Sequence, residues 1–161
     1  MVGEENMQIK WKPLACSIAI PLALGLLVGF LTKDSMGIYE QLNKPSMALP
    51  GYVFQAIWLI LFALLGIASY IIYVSNSPEK EKALQLYEIN ILLIFVWPVI
   101  FFLFQSHYIA FLIIIILWGV AFTMVSMFTQ ISRLAGWILL PYFIWVTYAA
   151  YLNFQILLLN H

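Results

Sequence analysis

Apolar residues run along this chain in five long blocks, at 13–31, 52–74, 89–105, 108–128 and 134–159. No Lys, Arg, Asp or Glu interrupts any of them. The charges collect at the start and in the gaps: Lys10 and Lys12, then Lys33, Asp34, Glu40 and Lys44, then Glu79 to Glu88, then Arg133. A helix rises about 1.5 Å per residue and a bilayer's hydrocarbon core is about 30 Å thick, so ~20 apolar residues cross it. The pattern predicts an all-α integral membrane protein, a bundle of five transmembrane helices forming a single domain over 1–161.

The gaps differ in kind. The stretch 32–51 is the one long connection, carrying Gly37, Pro45, Pro50 and Gly51. A connection of that length in a compact domain tends to be functional. In 75–88, Ser77 suits a helix cap and Pro78 a first helical position, which predicts a helical extension of the third span into water. The short gaps near 105–108 and 129–133 make spans three, four and five successive antiparallel neighbours. The first block follows two lysines and reads as a retained signal anchor, with 1–9 a mobile tail. Five of the seven cations fall on the N-terminal side of such a bundle and two on the other, which places the N-terminus inside. With no mitochondrial targeting extension before the first span, a bacterial plasma membrane is expected.

Composition narrows the chemistry. Of 161 residues, 65% are hydrophobic and 9% charged, and the formal net charge is zero, which favours neither nucleic acid nor anionic lipid. The spans hold no ionisable carboxylate, lysine or arginine of the sort that marks ion paths and proton relays. One cysteine, Cys16, and two histidines, His107 and His161, give no metal-ligand spacing, and no metal is expected. Ser106 and His107 are adjacent and point different ways on a helix, which argues against a nucleophile–base pair. What remains is an aromatic interior with a few amides and hydroxyls (Gln55, Asn90, Tyr142, Tyr148 and Asn153), the make-up of a pocket for a flat, greasy molecule.

Aromatic residues form 17% of the chain. Trp11, Tyr39, Tyr52, Tyr73, Tyr87 and Tyr108 fall at span ends, where amphipathic rings favour the headgroup layer. Trp58, Trp97, Trp118 and Trp145 fall deeper, as core packing or as pocket lining. Gln55, Trp58 and Phe62 share one helix face, as do Tyr142, Trp145, Ala149 and Asn153, with small Ala149 leaving a hollow between large neighbours. Pro21, Pro98 and Pro141 lie within spans and predict kinks. Gly25-Leu-Leu-Val-Gly29 permits close approach of another backbone, from the same chain in preference to a second protomer.

Three stretches with fixed spacing carry a resemblance: Tyr39-x-x-Leu42-x-Lys44-Pro45-Ser46, then Pro50 and Trp58-x-x-x-Phe62; Trp97-Pro98-x-Ile100-Phe101-Phe102; and Pro141-Tyr142-x-x-Trp145-x-x-x-Ala149-x-x-Leu152-Asn153. In order, over residues 13 to 160, they resemble the translocator protein (TspO/MBR) family, also called tryptophan-rich sensory proteins. The resemblance implies five packed helices, a homodimer, and a first loop folded as a lid at 32–51 over a ligand pocket. It implies a receptor for hydrophobic ligands, foremost tetrapyrroles such as protoporphyrin IX, with no required cofactor and with membrane lipid as surroundings. The matching ligand-binding positions are Tyr39, Trp58, Phe62, Phe95, Trp97, Trp145 and Ala149. The alternatives are an enzyme degrading porphyrin with light and oxygen through Trp58 and Trp145, and a sterol- or lipid-binding transporter.

Five departures stand out. Met47 and Leu49 replace a tryptophan and a proline of the lid, which implies a looser loop. Ile94 and Ile113 replace an asparagine and an aspartate, which removes polar partners from the interior. No basic residue follows Leu152-Asn153-Phe154 before His161, so the proposed sterol motif is incomplete.

Overall fold

The computed structural model describes residues 9–160. The expected mobile tail therefore lies, but for Ile9, outside the described residues. Five long helices are present: α1 (Trp11–Thr32), α3 (Gly51–Tyr73), α4 (Lys80–Pro98), α5 (His107–Ile131) and α6 (Arg133–Leu159), with the short α2 (Met36–Gln41) in the first loop. Each long helix, α4 together with the turn that follows it, is long and apolar enough to cross a bilayer.

The helices alternate in direction and form a ring in the order α1, α3, α6, α5, α4. Lipid tails are as apolar as the side chains, so helices associate in a bilayer through close packing rather than through release of water. Small residues therefore set the closest approaches. A Cβ on Gly66 of α3 would stand 2.5 Å from the Ser17 carbonyl of α1, and one on Gly136 of α6 would collide with Thr129 of α5. On α1, Gly25 faces the Phe62 ring of α3 while Gly29 has nothing within 4 Å. The glycine pair thus serves contact within one chain at its first position and open space at its second. At the far end of α1, the Lys10 N–H donates to the Tyr70 hydroxyl at 2.8 Å, tying the start of α1 to the end of α3.

Helix starts and stops follow local chemistry. The third span does extend beyond its apolar block, from Lys80. Its cap differs from expectation: Ser77 Oγ accepts the Glu79 N–H at 3.2 Å, closing a turn one step before the helix. At Pro98 the missing donor loosens the ladder, and Val99–Leu103 follows as a π turn closed by Phe104 N–H to the Val99 carbonyl at 3.2 Å. The wider turn brings Trp97, Phe101 and Phe102 all inward. Gln105, at φ 50°, then takes a left-handed conformation that a non-glycine residue adopts rarely, and reverses the chain into α5. Pro21 and Pro141 lie inside unbroken helices. Between α5 and α6, Ser132 Oγ accepts the Ala135 N–H at 3.4 Å as an N-cap.

The interior polar groups are mostly structural. The Tyr142 hydroxyl donates to Asn90 Oδ1 at 2.8 Å in the centre of the bundle. Trp97 Nε1 donates to Asn153 Oδ1 at 2.9 Å, and Asn153 Nδ2 to the His107 carbonyl at 3.3 Å. Trp118, expected deep, is 38% exposed on the outer face and donates to Thr147 Oγ1 at 2.9 Å. Tyr39, expected among the interfacial rings, is buried instead, while Trp11, Tyr52, Tyr73 and Tyr108 are exposed at helix ends as expected.

Candidate ligand cleft

Helix α1 is the least buried of the five, with Pro21 and Thr32 as its buried residues. It leans on α3 and stands away from α4, which opens a cleft of about 300 Å³ near the lid. Gly25, Gly29 and Phe30 of α1 form one side. Phe54, Trp58 and Phe62 of α3 form the second, and Trp97 and Phe102 from α4 and its π turn form the third. Residues 54, 58 and 62 recur every four positions, so one face of α3 presents three rings. Trp58 lies 6.3 Å from both Phe54 and Trp97, centroid to centroid, and 5.8 Å from Phe62. Gln55 and Thr32 supply the polar edge. The Thr32 hydroxyl donates to the Val28 carbonyl at 2.8 Å, whereas the Gln55 amide has no hydrogen bond among the described residues.

The expected site residues do not all meet here. Trp58, Phe62 and Trp97 line the cleft. Trp145 stands one layer behind, its ring 6.5 Å from Trp58 and nearly perpendicular to it, and 5.3 Å from Phe54. Its Nε1 is buried with no acceptor among the described residues. Tyr39 and Ala149 border a void of only about 10 Å³, walled off from the cleft by Phe54, Trp97 and Phe102. The hollow beside Ala149 is thus nearly filled. Phe95 is one residue from Ile94 on α4 but faces a separate groove toward the other end of α1, α3 and α4. Sequence reasoning passed over Phe54, although it sits one turn before Trp58 on the same stripe, and read Gly25 and Gly29 as packing alone. Ile94 also lines the cleft, so the lost asparagine leaves an apolar wall.

The loop between α1 and α3 closes this end of the bundle. A 3₁₀ turn (Lys33–Ser35) leads into α2, and 42–50 then continues without helix or strand, turning at 46–47 where the Ala48 N–H donates to the Pro45 carbonyl at 2.9 Å. Despite Met47 and Leu49, the loop is docked through its backbone. Tyr148 donates to the Met47 carbonyl at 2.8 Å, and the Tyr39 hydroxyl to the Leu49 carbonyl at 3.5 Å. Asn160 at the end of α6 brackets Asn43, accepting its N–H at 3.0 Å and donating to its carbonyl at 2.9 Å. Glu40 accepts the Gly51 N–H at 3.3 Å, and Lys44 Nζ donates to the Tyr39 carbonyl at 2.8 Å while standing 4.5 Å over the Tyr39 ring. The Gly51 bond, then Lys44, hold the Glu40 carboxyl below its ordinary value; burial pushes the Tyr39 phenol up to about 12.

Five membrane-crossing helices, an aromatic cleft between three of them and a first loop docked at one end of the bundle define a helical integral membrane protein with an interhelical pocket. The chain belongs to the TspO/MBR family, whose sequence model matches residues 17–159. It is 34% identical over 151 residues to a tryptophan-rich protein TspO of Chlorobaculum tepidum, covering 91% of this chain and 95% of that one. It is 30% identical over 156 residues to the translocator protein of Homo sapiens, with 94% and 92% covered. To the tryptophan-rich sensory protein of Cereibacter sphaeroides it is 32% identical over 123 residues, with 76% of each chain covered. Membership and the five apolar helices together make it a multi-pass integral membrane protein.

Proposed function

We propose that this protein is a membrane receptor for planar hydrophobic ligands, tetrapyrroles such as protoporphyrin IX foremost, which bind in the cleft between α1, α3 and α4. The observation that carries the reading is the open aromatic wall of Phe54, Trp58, Phe62, Trp97 and Phe102. Offset contact between flat rings adds about 0.5–1.5 kcal/mol per pair beyond area burial. A volume of about 300 Å³ is small for a macrocycle. Room comes from α1, whose Gly29 has no neighbour within 4 Å of a would-be Cβ. At the rim, Lys33 Nζ stands 4.5 Å over the ring of Phe30, a cleft residue, and places a cation where a porphyrin carboxylate would emerge.

Quenching of tryptophan fluorescence by protoporphyrin IX in detergent tests this. Wild type is expected to saturate. Gly29→Phe fills the open space and is expected to weaken binding at least about tenfold, and Lys33→Gln by roughly three- to tenfold through the lost charge-assisted contact. Unchanged affinity in Gly29→Phe removes the ligand from this cleft.

The contact between Trp58 and Trp145 favours a second reading, oxidation of bound porphyrin by dioxygen under light. Trp58 on the cleft wall and Trp145 behind it are redox-active indoles in edge contact, and among the described residues no acid or base lines the cleft. Illumination with protoporphyrin IX is expected to bleach the pigment more slowly in Trp58→Phe/Trp145→Phe; equal decay rejects this role.

A further inference from the structure

The second groove, between the same three helices but toward their opposite end, differs from the ligand cleft in its chemistry. It has a volume of about 910 Å³ and lies between α1 from Lys12 to Leu27, the end of α3, and α4 from Leu84 to Phe95. Its floor is apolar, with Ile20 and Leu24 of α1 facing Ile91 and Phe95 of α4. From Leu84 to Phe95, α4 rises about 16 Å, close to half of a ~30 Å hydrocarbon core. Its mouth is charged on both sides: Lys12 on α1 and Glu88 on α4. Both ends of that mouth sit at the level where α1 starts, α3 stops and the helical extension of α4 enters the apolar span.

Lys12 and Glu88 line one groove, yet neither is in an ion pair among the described residues; the pairs present are Lys44–Glu40 and Lys82–Glu79. Glu88 has leucines one turn away on either side, Leu84 and Leu92. A charge at an apolar boundary is stabilised by an opposite charge supplied in place. A cation and an anion flanking an apolar slot complement a molecule with a phosphate, a cationic headgroup and an acyl chain. The acceptors near the Glu88 side, the carboxylate with the hydroxyls of Ser69 and Tyr87, suit a primary ammonium that donates hydrogen bonds.

We propose that this groove is a binding site for one aminophospholipid of the phosphatidylethanolamine type. Its phosphate pairs with Lys12, its ammonium with Glu88, and one acyl chain lies along Ile20, Leu24, Ile91 and Phe95. The lipid fills the space that the tilt of α1 leaves against α4. It thereby braces α1 at the end away from the ligand cleft.

Cys16, the single cysteine, is exposed and lines the same groove, so it reports occupancy. Delipidated full-length protein in detergent is titrated with phosphatidylethanolamine or phosphatidylcholine. Alkylation of Cys16 by a maleimide and native mass spectrometry are followed together. Saturating phosphatidylethanolamine is expected to slow alkylation about tenfold, with one lipid retained per chain and weaker protection by phosphatidylcholine. Glu88→Gln is expected to abolish that preference, and Lys12→Gln to weaken both lipids about tenfold. Glu81→Gln, outside the groove, is expected to match wild type. Thermal midpoints check that each variant is folded. Equal protection by the two lipids, an unprotected Cys16, or full retention in folded Glu88→Gln and Lys12→Gln overturns the proposal.

Discussion

Trp97 and Trp145 show how one residue type takes two roles within a single aromatic cluster. Both rings pack on Phe54, at 6.3 and 5.3 Å. The Trp97 N–H is bound to Asn153, whereas the Trp145 N–H has no acceptor among the described residues. Losing a partner from a buried pair costs about 1–2 kcal/mol, with values inside membranes at or below the low end. Trp97→Phe is therefore expected to lower the thermal midpoint in detergent by leaving Asn153 Oδ1 unpaired. Trp145→Phe is expected to leave the midpoint unchanged or raise it, since it removes an unsatisfied donor. A destabilised Trp145→Phe contradicts that accounting. At this scale the sequence located the aromatic residues and the α3 stripe, because helical period is a local property. It did not tell Trp97 from Trp145, because an acceptor 56 residues away in the chain decides the difference.

At the scale of elements, the lid and the π turn matter most. The short lid helix is too brief to stand alone in water, and it is held by contacts at both of its ends. Two titrations bound the docked range. The folded-state value of Glu40 lies below 4.5, so its contribution is present above the unfolded value and is lost as pH falls through the lower one. Tyr39 is raised from 10.0 to about 12, so its contribution is present below pH 10 and is lost as pH rises through the higher value. Hydrogen exchange over residues 36–50, corrected for intrinsic rates, is expected to accelerate at both extremes. Glu40→Gln is expected to flatten the acid edge alone; an acid edge that persists in Glu40→Gln assigns it to another group. The proline at 98 announced a disturbance in the third span, and the form it took, a widened turn that turns Phe101 and Phe102 inward, depended on the helices it meets.

Across the whole molecule, the cleft exists because α1 packs far more closely on α3 than on α4. Gly66 and the Lys10–Tyr70 bond draw it onto α3, while no comparable approach draws it onto α4. Two openings result toward its two ends, one aromatic and one amphipathic. Span number and the apolar, charge-free make-up of each span were legible from the run of residues, because the bilayer imposes length and polarity on each helix separately. Family motifs added the aromatic set. Which of those rings face open space was settled elsewhere: Trp58, Phe62 and Trp97 reach the cleft, Trp145 lies behind it, Tyr39 and Ala149 border a small void, and Phe95 turns to the other groove. Those assignments depend on how each helix is rotated and tilted against its neighbours. That arrangement follows from side chains distant in sequence meeting at contact distance, a relation that no single helix carries.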